Sequence, residues 1–184
     1  FGPDLKKIDL SILNDVKKED FLKKLNPVYE TVEETKKKLS ISNKDTIGFV
    51  GAPWTLLLYM LNRKSPKEGN FNIFPKDKYI NNILIKLDEF LKIHIEAQIK
   101  SGASIIQIFD SWAGLLPEKD LDYFVYKPIK SLVDFIRQKK TISICFPRNI
   151  NSYKKFVDNV NPDIISIDYN VDPLIIRDTV DIPI

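Results

Sequence analysis

The 184-residue sequence contains few of the residue types that mark several protein classes, with one cysteine, one histidine and six glycines. A single cysteine, Cys145, excludes an internal disulfide framework and favours a reducing compartment, so we expect a cytoplasmic protein. No apolar run reaches the ~18–20 residues of a membrane-spanning helix, and we expect no membrane contact. The chain begins at Phe1 without an initiating Met or an apolar signal core, which predicts the interior of a longer protein.

Charged residues are numerous but nearly balanced, with 28 Lys and Arg against 25 Asp and Glu and a formal net charge of +3. Most of the basic residues are lysines on the polar faces of predicted helices, as in Asp20-Phe-Leu-Lys-Lys. Nucleic-acid binding favours clustered arginines interleaved with aromatic side chains. We therefore expect a solvated helix surface and no nucleic-acid partner.

Helical and strand-like apolar patterns alternate along the chain. The helical pattern predicts helices over about 25–39, 77–100, 120–138, 152–160 and 173–177, with a brief helix after Pro53. The strand pattern predicts strands at 46–50, 104–109, 142–146, 163–168 and 179–184, separated in one place by a polar loop at 64–72. The continuous hydrophobicity of the second strand favours a sheet that is buried on both faces.

Strands that alternate with helices predict βαβ units and a parallel sheet. Two α/β architectures have this pattern, an open doubly wound sheet and a closed (β/α)8 barrel. The open sheet typically has a glycine-rich phosphate-binding turn, and neither G-x-G-x-x-G nor G-x-x-x-x-G-K-[ST] occurs here. This absence favours the barrel, in which ligands bind at the carboxyl ends of the strands.

Aromatic, small and polar side chains recur where the predicted strands end. These segments are Phe49-Val-Gly-Ala-Pro-Trp, Phe109-Asp-Ser-Trp-Ala-Gly, Phe146-Pro-Arg-Asn and Asp168-Tyr-Asn. Their composition favours a large, flat, partly apolar ligand over a phosphorylated sugar. Aromatic residues also plug the mouths of barrels, so the spacing alone indicates the location of a site and no reaction.

Each candidate side chain also has a structural explanation. Asp110 and Ser111 follow a strand, where short polar residues cap the next helix about as often as they bind a ligand. Tyr59 lies among leucines and fits a core tyrosine whose hydroxyl needs a partner. Trp54 and Trp112 fit packing better than recognition.

The sequence predicts no metal centre and no cofactor. Cys145 has no His or Cys at ligand spacing, which disfavours a zinc site. His94 lies in a predicted long helix between isoleucines and fits a structural role. One histidine does not supply a Ser-His-Asp set, and no G-x-S-x-G motif is present.

Two long segments resemble the uroporphyrinogen decarboxylase family. They are Gly48-Phe-Val-Gly-Ala-Pro-Trp-Thr-Leu-Leu-Leu-Tyr-Met and Gly102-Ala-Ser-Ile-Ile-Gln-Ile-Phe-Asp-Ser-Trp-Ala-Gly. In addition, Ile165-Ser-Ile-Asp-Tyr is similar to the family's Gly-Leu-Asp-Trp segment, with Asp168 and Tyr169 in the matching places. The resemblance covers essentially the whole chain. It implies one partial domain, residues 1–184, of a (β/α)8 TIM barrel, incomplete here, with about strands 3 to 7 of the barrel present.

The resemblance implies an enzyme. Members of this family remove carbon dioxide from the four acetate side chains of uroporphyrinogen III, giving coproporphyrinogen III in heme biosynthesis without a metal or organic cofactor. By resemblance, Tyr59 matches a catalytic tyrosine near the reacting acetate, Ser111 a hydroxyl residue that binds a substrate carboxylate, and Phe49 and Phe109 aromatic positions of the cleft. It also implies a homodimer for the full-length protein and no turnover by the 184-residue segment alone.

Some family features have no counterpart in this sequence. They are an N-terminal arginine segment, an aspartate after the second strand and a histidine near the last strand, and His94 does not match that histidine. Lys64-Ser-Pro-Lys-Glu-Gly replaces a glycine-rich stretch of the family. Phe146-Pro-Arg-Asn replaces a segment with Lys and Gly and puts Arg148 at the barrel mouth, where a guanidinium could bind a carboxylate. A surface arginine is the simpler interpretation.

Two other hypotheses stay open. Corrinoid-dependent methyltransferases resemble this family in fold, but some carry a His-x-Cys zinc pair where this chain has Ser143 and Cys145, and one soft ligand does not build a zinc site. A non-catalytic barrel or interaction module would explain the missing segments. The presence of Tyr59 and Ser111 in their motif context favours the enzyme.

Overall fold

The computed structural model describes residues 13, 15–42, 44–62, 66 and 74–184. The helices are α1 (Lys18–Leu39), α2 (Pro53–Asn62), α3 (Lys78–Lys100), α4 (Glu118–Leu121), α5 (Lys127–Gln138), α6 (Tyr153–Val160) and α7 (Pro173–Arg177). The strands are β1 (Ile47–Gly51), β2 (Ile105–Asp110), β3 (Ile142–Pro147) and β4 (Ile164–Ile165). A 3-10 turn at Ala113–Leu115 follows β2, and a π-helical turn at Asp122–Tyr126 joins α4 to α5. Apart from Pro66, the predicted loop at 64–72 lies outside the described residues.

The strands form one parallel sheet in the order β1-β2-β3-β4. The register pairs Ile47 with Ile105 and Ile105 with Ile142, so each strand lies beside the one that follows it along the chain. The connecting helices pack on one another in the order α1, α3, α5 and α6. Consecutive parallel strands beneath a single helix layer form the repeat of a (β/α)8 barrel, which confirms the predicted fold class.

Alternate residues of each strand face the helices and form the core. In β2, Ile106, Ile108 and Asp110 are fully buried, and the residues between them are only half-buried. On the opposite face, Phe49 and Ile142 are exposed. The prediction of burial on both faces is wrong for this segment, because its own helices cover only one face. In a barrel the other face turns toward the interior.

The long helix α3 follows its predicted bounds because its signals are local. The side chain of Asp77 accepts a hydrogen bond from the Ile80 N–H at 2.9 Å and caps the first turn. The residues at helical spacing along one face of α3, including Ile83, Leu87 and Ile95, are buried. None of the helices in the described ranges is long and apolar enough to cross a membrane.

The first helix begins earlier than predicted, at Lys18 instead of near Leu25. Phe21 lies in the added turns and packs on Phe90 of α3, with ring centroids 4.9 Å apart. This contact between helices stabilises the extension even though Pro27 stands inside the helix, where it removes one backbone hydrogen bond.

The last predicted strand, at 179–184, is wrong. That segment forms turns, and one backbone hydrogen bond connects it to the sheet, from the Ile165 N–H to the Pro183 carbonyl at 3.0 Å. Pro183 has no N–H to donate, so it cannot continue a ladder of hydrogen bonds. The preceding strand β4 is also shorter than predicted and comprises only Ile164–Ile165.

Gln98 of α3 covers part of the outer edge of β1. The Ser104 N–H donates to the Thr46 carbonyl. In β1, the backbone N–H and C=O groups of even-numbered residues therefore point toward β2, and those of Phe49 point away from it. The Gln98 amide satisfies both groups: its Oε1 accepts from the Phe49 N–H at 3.0 Å, and its Nε2 donates to the Phe49 carbonyl at 3.0 Å. Gly48 leaves the necessary space, since a Cβ there would lie 2.7 Å from the Gln98 oxygen.

Candidate active site

Phenylalanines from three strands form a row on the open face of the sheet. Phe49 is 64% exposed, and its ring lies edge to face with that of Phe109 at a centroid distance of 5.9 Å. Phe146 continues the row at 6.1 Å from Phe109. The structure thus brings together the two predicted cleft aromatics and adds Phe146, which has no role among the predicted site residues. Its position opposite Phe109 in the strand register is the signal that identifies it.

Helix α2 carries Tyr59, and two side-chain hydrogen bonds join this helix to the end of β2 and to the turn that follows it. The Trp54 indole N–H donates to the Trp112 carbonyl at 2.9 Å, and the Thr55 hydroxyl donates to Asp110 Oδ1 at 2.7 Å. One helical turn beyond Thr55, the Tyr59 ring packs edge to face on Trp112 with centroids 6.4 Å apart. Tyr59 is half-buried, so it is not the core tyrosine that its leucine neighbours also allow.

Asp110 fastens this turn from within the core. It is fully buried, and its Oδ1 accepts a hydrogen bond from the Thr55 hydroxyl, whereas its Oδ2 has no hydrogen-bond partner among the described residues. Burial raises the pKa of Asp110 to about 7, although the Thr55 hydroxyl and the nearby Trp112 backbone N–H oppose the shift. The side chain lies on the helix-covered face, so Asp110 joins α2 to the end of β2 and turns away from the cleft, and it does not cap the helical turn that follows the strand.

Ser111 and Arg148 line one pocket at the carboxyl ends of β2 and β3, together with Trp112, Gly114 and Asn149. Ser111 is half-buried, and Arg148 is exposed. Since Tyr59 packs on Trp112, this pocket adjoins the tyrosine that the sequence singles out. A serine and an arginine that line one pocket can offer a hydroxyl and a guanidinium to an anion.

Asp168 holds the loop after β3 in place. It is 5% exposed, and its Oδ2 accepts hydrogen bonds from the Asn149 N–H at 2.6 Å and from the Tyr153 hydroxyl at 2.7 Å. The Asp168 N–H donates in turn to the Tyr153 hydroxyl at 3.0 Å. Tyr169, its neighbour in the matching segment, is 98% exposed. Asp168 therefore positions the loop that carries Arg148.

His94 joins two helices. Its Nδ1 lies 3.0 Å from the Tyr29 hydroxyl of α1, and its ring meets Phe21 edge to face at 6.5 Å. Burial lowers the pKa of His94, which keeps the imidazole neutral around pH 7. The structure therefore gives His94 the structural role that its helical context predicts.

The described part of the chain holds no group of three or more His, Cys, Asp and Glu side chains close enough to bind a metal ion. Cys145 is fully buried, and burial raises the pKa of its thiol. Ser143 donates from its Oγ to Asp163 at 2.7 Å. Both residues lie on the helix-covered face of β3, opposite to Phe146, so their side chains do not point toward the cleft.

This molecule is part of a (β/α)8 barrel, as the strand order and the single helix layer show. Its candidate site lies at the carboxyl ends of the strands, where such barrels bind their ligands. The family model described as uroporphyrinogen decarboxylase (URO-D) matches residues 2–182. The chain therefore belongs to the uroporphyrinogen decarboxylase family.

Individual relatives agree with this assignment. The chain is similar to the uroporphyrinogen decarboxylase of Rickettsia bellii (strain RML369-C), with 41% identity over 153 residues that cover 79% of this chain and 44% of the relative. The enzyme of that name from Campylobacter jejuni (strain RM1221) is 36% identical over 177 residues, which cover 92% of this chain and 52% of the relative. The chain thus spans about half the length of the curated relatives it matches.

Proposed function

We propose that the protein containing these 184 residues is a uroporphyrinogen decarboxylase, a carboxy-lyase of heme biosynthesis. Its substrate would be uroporphyrinogen III, and its product coproporphyrinogen III after loss of four acetate carboxyl groups as carbon dioxide. The family match over residues 2–182 is the observation that carries this proposal. The phenylalanine row and the Ser111 pocket, which lie at the carboxyl ends of the same strands, agree with it, because together they offer an apolar face for a flat macrocycle and polar groups for carboxylates.

The proposed chemistry uses protein groups alone. Loss of carbon dioxide from a pyrrole acetate needs a proton on the ring and stabilisation of the charge that develops, and fixed hydrogen-bond donors in a shaped pocket supply the second requirement. In this proposal the Tyr59 hydroxyl donates to the departing carboxylate. Ser111 binds a carboxylate of the substrate, and Phe49 and Phe109 contact the macrocycle. The proton donor belongs to another part of the complete barrel.

The proposal treats the 184 residues as the central segment of a longer barrel. About half of each relative aligns with this chain, and the open face of the sheet is the face that barrel closure buries. We further propose that the complete protein is a cytoplasmic homodimer. The segment alone would not turn over uroporphyrinogen, because it supplies only one wall of the cleft.

The test is an anaerobic assay of the full-length protein with uroporphyrinogen III, in which the porphyrins are separated by carboxyl number after oxidation. Stepwise appearance of products with fewer carboxyl groups, down to coproporphyrinogen III, is expected. Absence of any carboxyl loss would refute the proposed function. Absence of the family's arginine segment from the complete sequence would count against it independently.

Tyr59→Phe tests the role of the hydroxyl at this site. We expect kcat to fall about tenfold to hundredfold, because the variant loses one hydrogen bond to a charged group, while the unfolding transition stays close to that of the wild type. Tyr79→Phe is the matched control, since Tyr79 lies on α3 and is 53% exposed. Equal turnover of the Tyr59 variant and the wild type would remove Tyr59 from the site.

The corrinoid methyltransferase hypothesis receives no support from β3. Its zinc pair would need a histidine at Ser143, and the side chains of Ser143 and Cys145 lie on the helix-covered face. Metal analysis of the purified full-length protein separates the two hypotheses: stoichiometric zinc would favour the methyltransferase.

A further inference from the structure

The turn after β3 carries Arg148, an arginine that forms no ion pair with the described residues. The other two arginines of the described ranges have acidic partners: Arg137 lies 3.2 Å from Asp134, and Arg177 lies 3.3 Å from Asp178. Arg148 has no acidic partner within those ranges, and its exposed side chain lines the pocket that contains Ser111. An exposed arginine that lines the same pocket as a serine, and that pairs with no carboxylate of the described residues, is available to an anionic ligand.

The backbone of this turn is held by its neighbours on three sides. The Arg148 N–H donates to the Asp110 carbonyl at 3.0 Å, and the Arg148 carbonyl accepts from the Gly114 N–H at 3.0 Å. The next N–H, that of Asn149, donates to the buried Asp168 carboxylate at 2.6 Å. The position of Arg148 is therefore fixed by β2, by the turn after it and by the segment after β4.

The same turn contains strained and crowded backbone. Asn149 has a φ of 56°, in the left-handed region. A Cβ on residue 114 would lie 2.2 Å from the Asn149 carbonyl oxygen, so only glycine allows the two turns to approach this closely. Strained conformations that surrounding contacts over-determine cluster at binding and catalytic sites. An exposed arginine on a freely varying surface turn would require none of these features.

We propose that Arg148, together with Ser111, binds a carboxylate of the substrate that does not react. This inference rests on the proposed function and adds a binding residue to it. A planar guanidinium can donate two parallel hydrogen bonds to one carboxylate, and the Ser111 hydroxyl can donate a further one. The carboxylate is one that stays on the substrate, because the proposed function already assigns the departing carboxylate to Tyr59.

Binding of a retained carboxylate by Arg148 would affect KM more than kcat in the full-length protein. We expect Arg148→Met to raise KM about tenfold to hundredfold, the loss expected for charge-assisted hydrogen bonds, and to leave kcat within about threefold of the wild type. The KM of Arg148→Lys should lie between the values of the wild type and Arg148→Met, because lysine keeps the charge and loses the two parallel hydrogen bonds of the guanidinium. Arg177→Met, at an exposed arginine that already has a partner, is the matched control and should leave KM unchanged.

A second measurement separates this inference from the proposed function. Uroporphyrin III, the oxidised form with all carboxylates, serves as a binding probe by quenching of tryptophan fluorescence, and Trp112 lines the pocket. We expect Arg148→Met, but not Arg177→Met, to weaken its binding about tenfold or more. If the wild type fails to decarboxylate uroporphyrinogen, the proposed function fails, and the probe still decides whether Arg148 binds carboxylates. Unchanged binding in Arg148→Met, or a loss of kcat at constant KM, would overturn the inference.

Discussion

Asp45, at the amino ends of the strands, and the two aspartates at the carboxyl ends accept hydrogen bonds in contrasting surroundings. At the amino ends, Asp45 pairs with Lys36 at 3.0 Å and accepts from the Ser104 hydroxyl at 2.7 Å, with 62% of its side chain exposed. At the carboxyl ends, Asp110 and Asp168 are 0% and 5% exposed and accept hydrogen bonds from neutral donors. Exposed pairs are screened by water, whereas buried carboxylates hold their partners in one geometry. Asp110 and Asp168 therefore constrain the geometry around the candidate site more strongly than Asp45 constrains its own surroundings.

The largest expected effect concerns Asp110 and is a dependence on pH. Its pKa is about 7 in the folded protein against an ordinary value of 3.8, so the unfolded chain loses its proton first as the pH rises. The contribution of Asp110 is fully present below about pH 4 and is lost by about pH 7, a fall in the free energy of unfolding of up to about 4 kcal/mol. Asp110→Asn keeps an acceptor for Thr55 and does not titrate.

We therefore expect the stability of Asp110→Asn relative to the wild type to increase steadily between about pH 4 and pH 7. Urea unfolding of both proteins at a series of pH values measures this difference. If the free energies of unfolding of the two proteins change with pH in the same way, Asp110 titrates normally. The contrast between buried and exposed aspartates would then no longer hold for Asp110.

A smaller effect is expected at Asp168. Asp168→Ala leaves the Asn149 N–H and the Tyr153 hydroxyl without their buried acceptor, and we expect a loss of about 3 kcal/mol in the free energy of unfolding. Asp168→Asn keeps one oxygen at this place and should lose less. In the full-length protein, Asp168→Ala should also raise KM, because the turn of Arg148 loses one of its fixed points. Wild-type stability of the alanine variant would show that the loop does not depend on Asp168.

The smallest effect is expected at the amino ends. Asp45→Ala removes an exposed ion pair, and we expect almost no change in urea unfolding at physiological salt and no change in KM. The Ser104 hydroxyl and the Lys36 ammonium hold the pKa of Asp45 below its ordinary value. Any stabilisation by Asp45 is therefore present above about pH 4 and lost as the pH falls. A loss as large as that of Asp168→Ala would abolish the contrast between the two ends.

The parts of the fold that the sequence predicts are those with local causes. The cap of α3 by Asp77 depends on residues three positions apart, and the apolar stripe of the helix depends on its own period. The early start of α1 depends on Phe21 meeting Phe90, which lies far along the chain. The missing last strand depends on Pro183, a single residue that outweighs the β-branched pattern before it.

The candidate site likewise has features that the sequence predicts and features that depend on distant contacts. Parallel strands bring their carboxyl ends to one edge, so the meeting of Phe49 and Phe109 follows from the predicted topology. The contact of Tyr59 with Trp112 depends on how α2 is fastened by Trp54 and Thr55. That fastening joins residues more than fifty positions apart, which spacing in one sequence does not reveal.

The Gln98 amide on β1 has a consequence for association between chains. An amide side chain presents the same donor and acceptor as a peptide group, and here it takes both backbone groups of Phe49 at the outer edge of the sheet. A strand from another molecule that added to this edge would first have to displace Gln98 from the middle of β1. Gln98, together with Gly48, which gives it room, therefore disfavours strand addition at this edge of the segment, whereas in a complete barrel the preceding strand would take this edge.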